Sequence, residues 1–180
     1  GFKGFFLFSL LSILIFFILV VGSPEVSYSK NTSEIPEKWL KKGETVTKIL
    51  GISLYNGVLY TPNADAFDIE GQYALSLSYL RSFKSSTLIK STIKEIDRIE
   101  GLISQDKKTL RKLLSNCFVD VLAGDRITAL SLSKDKVRFF YNGSKQCDLE
   151  ILDIRRKFFS IWLGNDTRDI EGSLRLQGLK

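Results

Sequence analysis

The hydrophobic period changes repeatedly along this chain, and any fold has to accommodate each change. In "YALSLSYL", Tyr73 to Leu80, the large residues Tyr73, Leu75, Leu77 and Tyr79 alternate with Ala74, Ser76 and Ser78. Successive strand side chains point to opposite faces, so this is a half-buried strand. A few residues on, "SSTLIKSTIKEIDRIEGLI" sets Ile89, Ile93, Ile96 and Ile103 along one helical stripe, with Ser85 or Ser86 available as N-cap. Asp106 to Cys117 repeats the helical spacing with Leu110, Leu113, Leu114 and Cys117. Strand patterning returns in "DRITALSL" and "KVRFFYNG", the latter ending at Asn142-Gly143, a pair that favours the positive φ angles of a tight hairpin. The last long pattern, "DIRRKFFSIWLG", puts Ile154, Phe158, Ile161 and Trp162 on one helix face, with Gly164 placed for a left-handed C-cap.

Ahead of these lies "TVTKILGISLYNGVLYTP", rich in β-branched and aromatic residues and closed by Pro62. It reads as one long strand or two joined at Gly51, with Gly51 and Gly57 marking a bulge or a close backbone approach. Runs of strands followed by runs of helices predict an α+β fold in which helices cover one face of an antiparallel sheet. A chain of 180 residues, 44% hydrophobic, can bury one such core.

Composition removes several chemistries. The chain has no His, hence no Ser-His-Asp arrangement and none of the commonest metal ligand, and no metal or cofactor is expected. The net charge of +6 is dispersed among acidic residues, so no nucleic-acid partner is expected. The carboxylates of "KEIDR" and "DRIE" alternate with cations at helical spacing and read as surface ion pairs.

"FFLFSLLSILIFFILVV", Phe5 to Val21, follows Lys3 as an uninterrupted apolar run. It fits a secretory signal cleaved after Val20-Val21-Gly22, or a retained membrane anchor. Either reading puts the following domain outside the cytoplasm, in a bacterial periplasm, with membrane contact only through this run. The expected organisation is therefore signal or anchor over 1–22, linker and N-terminal segment over 23–42, and folded domain over 43–180. An oxidising compartment permits a disulfide between Cys117 and Cys147; their spacing fits two buried thiols equally well.

The polar residues that stand beside aromatics on strands are Lys48, Tyr55, Asn56, Tyr60, Tyr79 and Arg81. They suit a cleft between sheet and helices where a hydroxyl and a cation fix the polar end of an apolar ligand. The alternative is half-buried tyrosines with wet tips and solvated cations.

Four segments in order carry a family resemblance: "LYNGVLYTP", "LSLSYLRSFKSSTL", "AGDRITALSLSKDKVRFFYNG" and "FFSIWLGNDTRDIEGSLRLQGL". Together they resemble the bacterial chalcone isomerase-like family, related in fold to plant chalcone isomerase and to fatty-acid-binding proteins. The resemblance implies an open-faced β-sandwich whose last helix packs through Phe158, Ile161, Trp162 and Leu163, with Leu174, Leu176 and Leu179 fastening the terminus. It also implies an Arg early in the long strand, which stabilises negative charge in the plant enzymes and holds the carboxylate in the fatty-acid binders. Registered on "SLYNGVLY", that position falls on Thr47, with Lys48 the nearest cation. Lys48 would reach the same face only through a bulge, and Lys does not reproduce the two-pronged grip of Arg. The resemblance therefore points to a non-catalytic domain that binds a small apolar or fatty-acid-like molecule, or a protein partner. An isomerase of the intramolecular lyase type, using Lys48 and tyrosine hydroxyls, is the alternative; a membrane-tethered structural partner is the third reading.

Overall fold

The computed structural model describes residues 33–180, so the apolar run at 5–21 and the signal or anchor expected there lie outside the described residues. Two strands, β1 (Leu40–Ile49) and β2 (Ile52–Thr61), form a hairpin and β3 (Ala74–Tyr79) joins it. Helices α1 (Ser85–Glu100) and α2 (Ser104–Leu114) follow. Then come β4 (Arg126–Ser133), β5 (Lys136–Tyr141) and β6 (Ser144–Glu150), and the chain closes with α3 (Ile154–Leu163) and α4 (Ile170–Leu176). The six strands pair in sequence order and every neighbouring pair is antiparallel. This is the expected α+β architecture: one open antiparallel sheet with helices on one face.

Two of the three short hairpins, β1–β2 and β5–β6, are closed by residues in the left-handed region, whose twist matches that of the strands. Asn142 and Gly143 sit there at φ 46° and 85°, which is ordinary turn chemistry. At the β1–β2 turn the pair is Leu50 and Gly51, at φ 50° and 79°. That conformation costs an L-residue roughly 1–2 kcal/mol, and Leu has no short polar side chain to offset it. Gly51 is thus a turn residue, not a bulge. The bulge lies nearby: Thr47 pairs with Tyr55 but Lys48 pairs with Ser53, leaving Leu54 unmatched.

The inner face of the sheet and the helices share one core. Leu75, Leu77, Ile127, Phe139 and Leu149 come from strands, and Ile89, Ile93, Ile96, Leu110, Leu114, Phe158 and Leu176 from helices. Aromatic rings run through it, edge to face from Phe118 to Phe139 and Phe158 and tilted from Phe158 to Trp162, with ring centroids 5.1–5.3 Å apart. A second branch leads from Phe158 through Phe159 to Tyr73 and Phe67. Each such pair contributes about 0.5–1.5 kcal/mol beyond the area it buries. Cys117 and Cys147 form a disulfide with Cα atoms 5.2 Å apart, tying the segment after α2 to edge strand β6.

Several local expectations are corrected by contacts from distant parts of the chain. β3 is buried on both faces rather than one: Ala74 and Ser76 are covered, and the Ser76 hydroxyl is hydrogen-bonded to that of Thr128 at 2.9 Å. The sheet starts before the expected boundary at Gly43, because β1 begins at Leu40. Ile35 and Trp39, from the segment read as a linker, pack with Tyr60 and Leu132 around Ala74, Leu130 and Phe140 on the outer face. Neither Ser85 nor Ser86 caps α1. Lys84 is the N-cap, and the Asp120 carboxylate accepts from the Ser85 N–H at 2.8 Å. Gly101, left-handed at φ 68°, ends α1 and leaves Ile103 exposed instead of on its stripe. Gly164 is extended (φ −85°), not left-handed; a Cβ there would lie 2.8 Å from that of Ser160. Leu176 is buried in the core, whereas Leu179 is exposed and does not fasten the terminus.

Gly43 has a packing role. A Cβ at that position would sit 2.0 Å from the Arg175 carbonyl oxygen, so α4 can lie against β1 only over a glycine.

Candidate functional site

Between the inner face of β1–β5 and helices α1, α3 and α4 lies a cavity of about 900 Å³. Its floor is Leu75, Leu77, Ile127, Ala129 and Phe139, and Phe118, Phe158 and Leu176 close its sides. Residues that are both lining and exposed mark the mouth: the hairpin tip from Lys48 to Ile52, Thr87, Ser91 and Lys94 of α1, and Arg168 and Asp169 of the α3–α4 connection.

Two tyrosines stand inside. Tyr55 lies across from Thr47 in one ladder and from Tyr79 in the next, which puts all three on the inner face. The Tyr55 and Tyr79 rings meet edge to face at 5.8 Å, and Tyr79 meets Phe83 at the same distance. The Tyr55 hydroxyl accepts from Trp162 Nε1 at 2.9 Å, so the Trp of α3 is bonded as well as packed. Burial pushes the Tyr55 phenol up, while hydrogen bonds with Trp162 and Thr47 pull the other way; the net shift is upward. Burial raises the Tyr79 phenol, and the neighbouring Tyr55 adds to it. Both are therefore neutral O–H groups at physiological pH. Tyr79 is 6% exposed, and its hydroxyl has no hydrogen-bond partner among the described residues. The hydroxyl thus faces the cavity with its hydrogen-bonding capacity free, a natural point of attachment for a guest.

The cations behave differently. The bulge at Thr47/Lys48 does allow Lys48 to line the cavity, but its side chain is exposed and lines a second, shallow cleft beside β1 as well. It is a rim residue. Lys94 is likewise exposed at the mouth, and Arg168 donates to the Glu95 carboxylate at 2.8 Å. Burial works to raise the Glu95 carboxyl, but hydrogen bonds from Arg168 and Arg98 outweigh it and hold it below the ordinary range. With Arg98 donating to the Asp166 carbonyl at 2.8 Å, these pairs fasten α1 to the α3–α4 connection at the mouth.

Of the residues singled out from the sequence, Thr47, Tyr55 and Tyr79 come together in the cavity and Lys48 guards its rim. Tyr60 does not join them: it points to the outer face, against Ala74, Leu130 and Phe140. Asn56 lines the shallow cleft, and Arg81 is exposed beyond β3. Sequence reading missed Trp162 as a polar partner, the Glu95–Arg168 latch, and the polar stripe of α1. That stripe was legible: Thr87, Ser91 and Glu95 recur every four residues beside the isoleucines, one helix face over.

The sheet, the helical cover and the cavity between them define an open-faced sandwich with an apolar interior space. The sequence pattern described as chalcone isomerase-like matches residues 35–177, and the chain belongs to that family. No curated protein matches the chain in sequence. Among solved structures, it is similar in fold to a fatty-acid binding protein of Arabidopsis thaliana, with a TM-score of 0.60 over 80% of this chain and 89% of that one, at 9% identity.

Proposed function

We propose that this protein is a non-catalytic binder of a small apolar or lipid-like molecule, held between sheet and helices. The observation that carries the reading is the apolar cavity of about 900 Å³ with a partnerless Tyr79 hydroxyl inside and its lining cations all at the mouth. That volume is near the upper end of small-molecule sites, which run to about 1,000 Å³. The name of the Arabidopsis structure, a fatty-acid binding protein, supports the same class of ligand. An ionised group deep in the cavity would face only neutral hydroxyls and lose its hydration. The ligand therefore has a neutral acceptor, a carbonyl or hydroxyl, near Tyr79, and keeps any charge at Lys48 and Lys94.

The isomerase alternative has the Thr47 and Tyr55 hydroxyls and the Trp162 indole N–H in its favour, but a cation at the rim is poorly placed to stabilise charge developing inside. The proposal extends to place: an exported protein of a bacterial periplasm, whose apolar N-terminal run is a signal or an anchor. The disulfide supports an oxidising compartment. N-terminal sequencing of the mature protein distinguishes signal from anchor. Native mass spectrometry of protein purified from its host tests the binding reading: a co-purifying lipid-like mass is expected. Cyclisation of enone substrates that disappears in Lys48→Ala would replace binding by catalysis.

A further inference from the structure

The β1–β2 turn is difficult to explain as part of the fold alone. Leu50 is 97% exposed, so it contributes nothing to the core, and it occupies a left-handed position that Asn or Gly would fill without strain. Ile49 and Ile52 beside it are 58% and 47% exposed. Three large apolar side chains thus project from one hairpin tip, and the same tip forms one lip of the cavity mouth. Lys48 on that lip and Lys94 on the opposite one are exposed, and neither is ion-paired among the described residues. Elsewhere Lys84, Lys107 and Lys136 are paired with carboxylates, while Lys90, one turn before Lys94 on α1, is exposed and outside the ion pairs like Lys94, as are Lys38, Lys108 and Lys112 away from the mouth.

We infer that the cavity mouth docks on an anionic lipid bilayer, with Leu50 and its two isoleucine neighbours entering the headgroup boundary and Lys48 and Lys94 meeting lipid phosphates. The inference rests on the ligand-binding reading, and it supplies the route by which the ligand enters and leaves. An apolar molecule crossing water from a bilayer to a buried cavity loses the favourable transfer of its whole surface. A mouth seated on the bilayer removes that step. Apolar tips flanked by cations bind membranes by combining buried area with attraction to anionic lipid, which matches the chemistry of this lip. A second copy of the chain is the rival occupant, and it offers no reason for the unpaired lysines.

The test uses the full chain carrying an NBD fluorophore at Leu50→Cys, the native cysteines being paired with each other. Leu152, 72% exposed in the β6–α3 connection, carries the same label in a control protein. With vesicles of three parts phosphatidylcholine to one part phosphatidylglycerol, a blue shift is expected at position 50 and not at 152. A shift at neither position, an equal shift at both, or a shift at 50 without lipid as protein concentration rises overturns the proposal. Function is read separately, as transfer of an anthroyloxy-labelled fatty acid from protein to the same vesicles. Lys48→Gln with Lys94→Gln is expected to slow transfer about 30-fold, the factor two lysines carry near an anionic leaflet. Leu50→Asn is expected to slow it at least ~10-fold from lost burial of one leucine, while improving the turn and so raising the melting temperature. Leu50→Asn leaves the affinity for the probe in solution unchanged, whereas the lysine pair also meets the probe's carboxylate, so transfer from that variant is compared at equal bound probe. If the probe fails to bind at all, the ligand-binding reading fails, whereas the fluorophore at position 50 still decides docking.

Discussion

Ala129 offers the sharpest test of whether the cavity is a binding site or a packing defect. It stands on the central strand β4, paired with Leu75 on one side and Phe139 on the other, and its methyl group forms part of the cavity floor. Ala129→Leu adds three carbon atoms pointing into empty space. In a filled core such an insertion forces off-rotamer side chains and costs about 1–3 kcal/mol. Above a cavity of about 900 Å³ there is room, so the added carbons meet no wall and the variant is expected to be at least as stable as the parent. A bound chain, by contrast, loses the space of roughly three methylenes, and at about 0.8 kcal/mol each that is ~2.4 kcal/mol, or close to 50-fold in affinity. Displacement of a fluorescent fatty acid gives the affinity, and urea denaturation gives the stability. Unchanged affinity in a folded variant would place the ligand elsewhere. A variant destabilised by a few kcal/mol would show that the floor is already filled, and the site assignment would fail with it.

Tyr79→Phe deletes the partnerless hydroxyl and is expected to weaken a carbonyl-bearing ligand about 5- to 10-fold, the value of one neutral hydrogen bond, while leaving a pure hydrocarbon probe unaffected; calorimetry on the two ligands separates these outcomes. Replacing Cys117 and Cys147 together by Ser opens a loop with a sequence separation of 30, and the loss of unfolded-state restraint is expected to cost about 3.5 kcal/mol, read from urea midpoints with and without reductant. Asp148 is held well below the usual carboxylate range chiefly by Arg138, which grips it at 2.6 and 2.9 Å, with Lys145 assisting against the opposing effect of burial. A depressed folded-state pKa stabilises above the unfolded value near ~4 and is lost as pH falls toward the folded value. The stability gap between the parent and Asp148→Asn is therefore expected at neutral pH and should narrow progressively in urea titrations taken below about pH 4.

Much of this protein is written in short-range pattern. The alternation at Tyr73–Tyr79, the isoleucine stripe of α1 and the Asn142-Gly143 turn each specify an element from within a few residues, because side-chain direction repeats with the local backbone. The strand order follows nearly as directly: strands joined by short turns pair with their neighbours, and a run of such strands makes an antiparallel sheet. The presence of tyrosines on the inner face was equally legible, since Tyr79 shares the parity of Leu75 and Leu77.

Other features exist only once distant segments meet. The cap of α1 comes from Asp120, the second face of β3 is covered partly through Ile35 and Trp39, and Gly43 makes sense only beneath the carbonyls of α4. Strand parity already set Tyr60 and Tyr55 on opposite faces, but no local pattern indicated that Tyr55 would meet Trp162, or that a bulge would bring Lys48 to the rim without bringing it inside. Local sequence sets which way a side chain faces; what stands opposite depends on packing across tens of residues, and the space left between sheet and helices is a property of that packing alone. The elements and their order were thus a matter of sequence, and the cavity, its partnerless hydroxyl and its charged mouth a matter of tertiary structure.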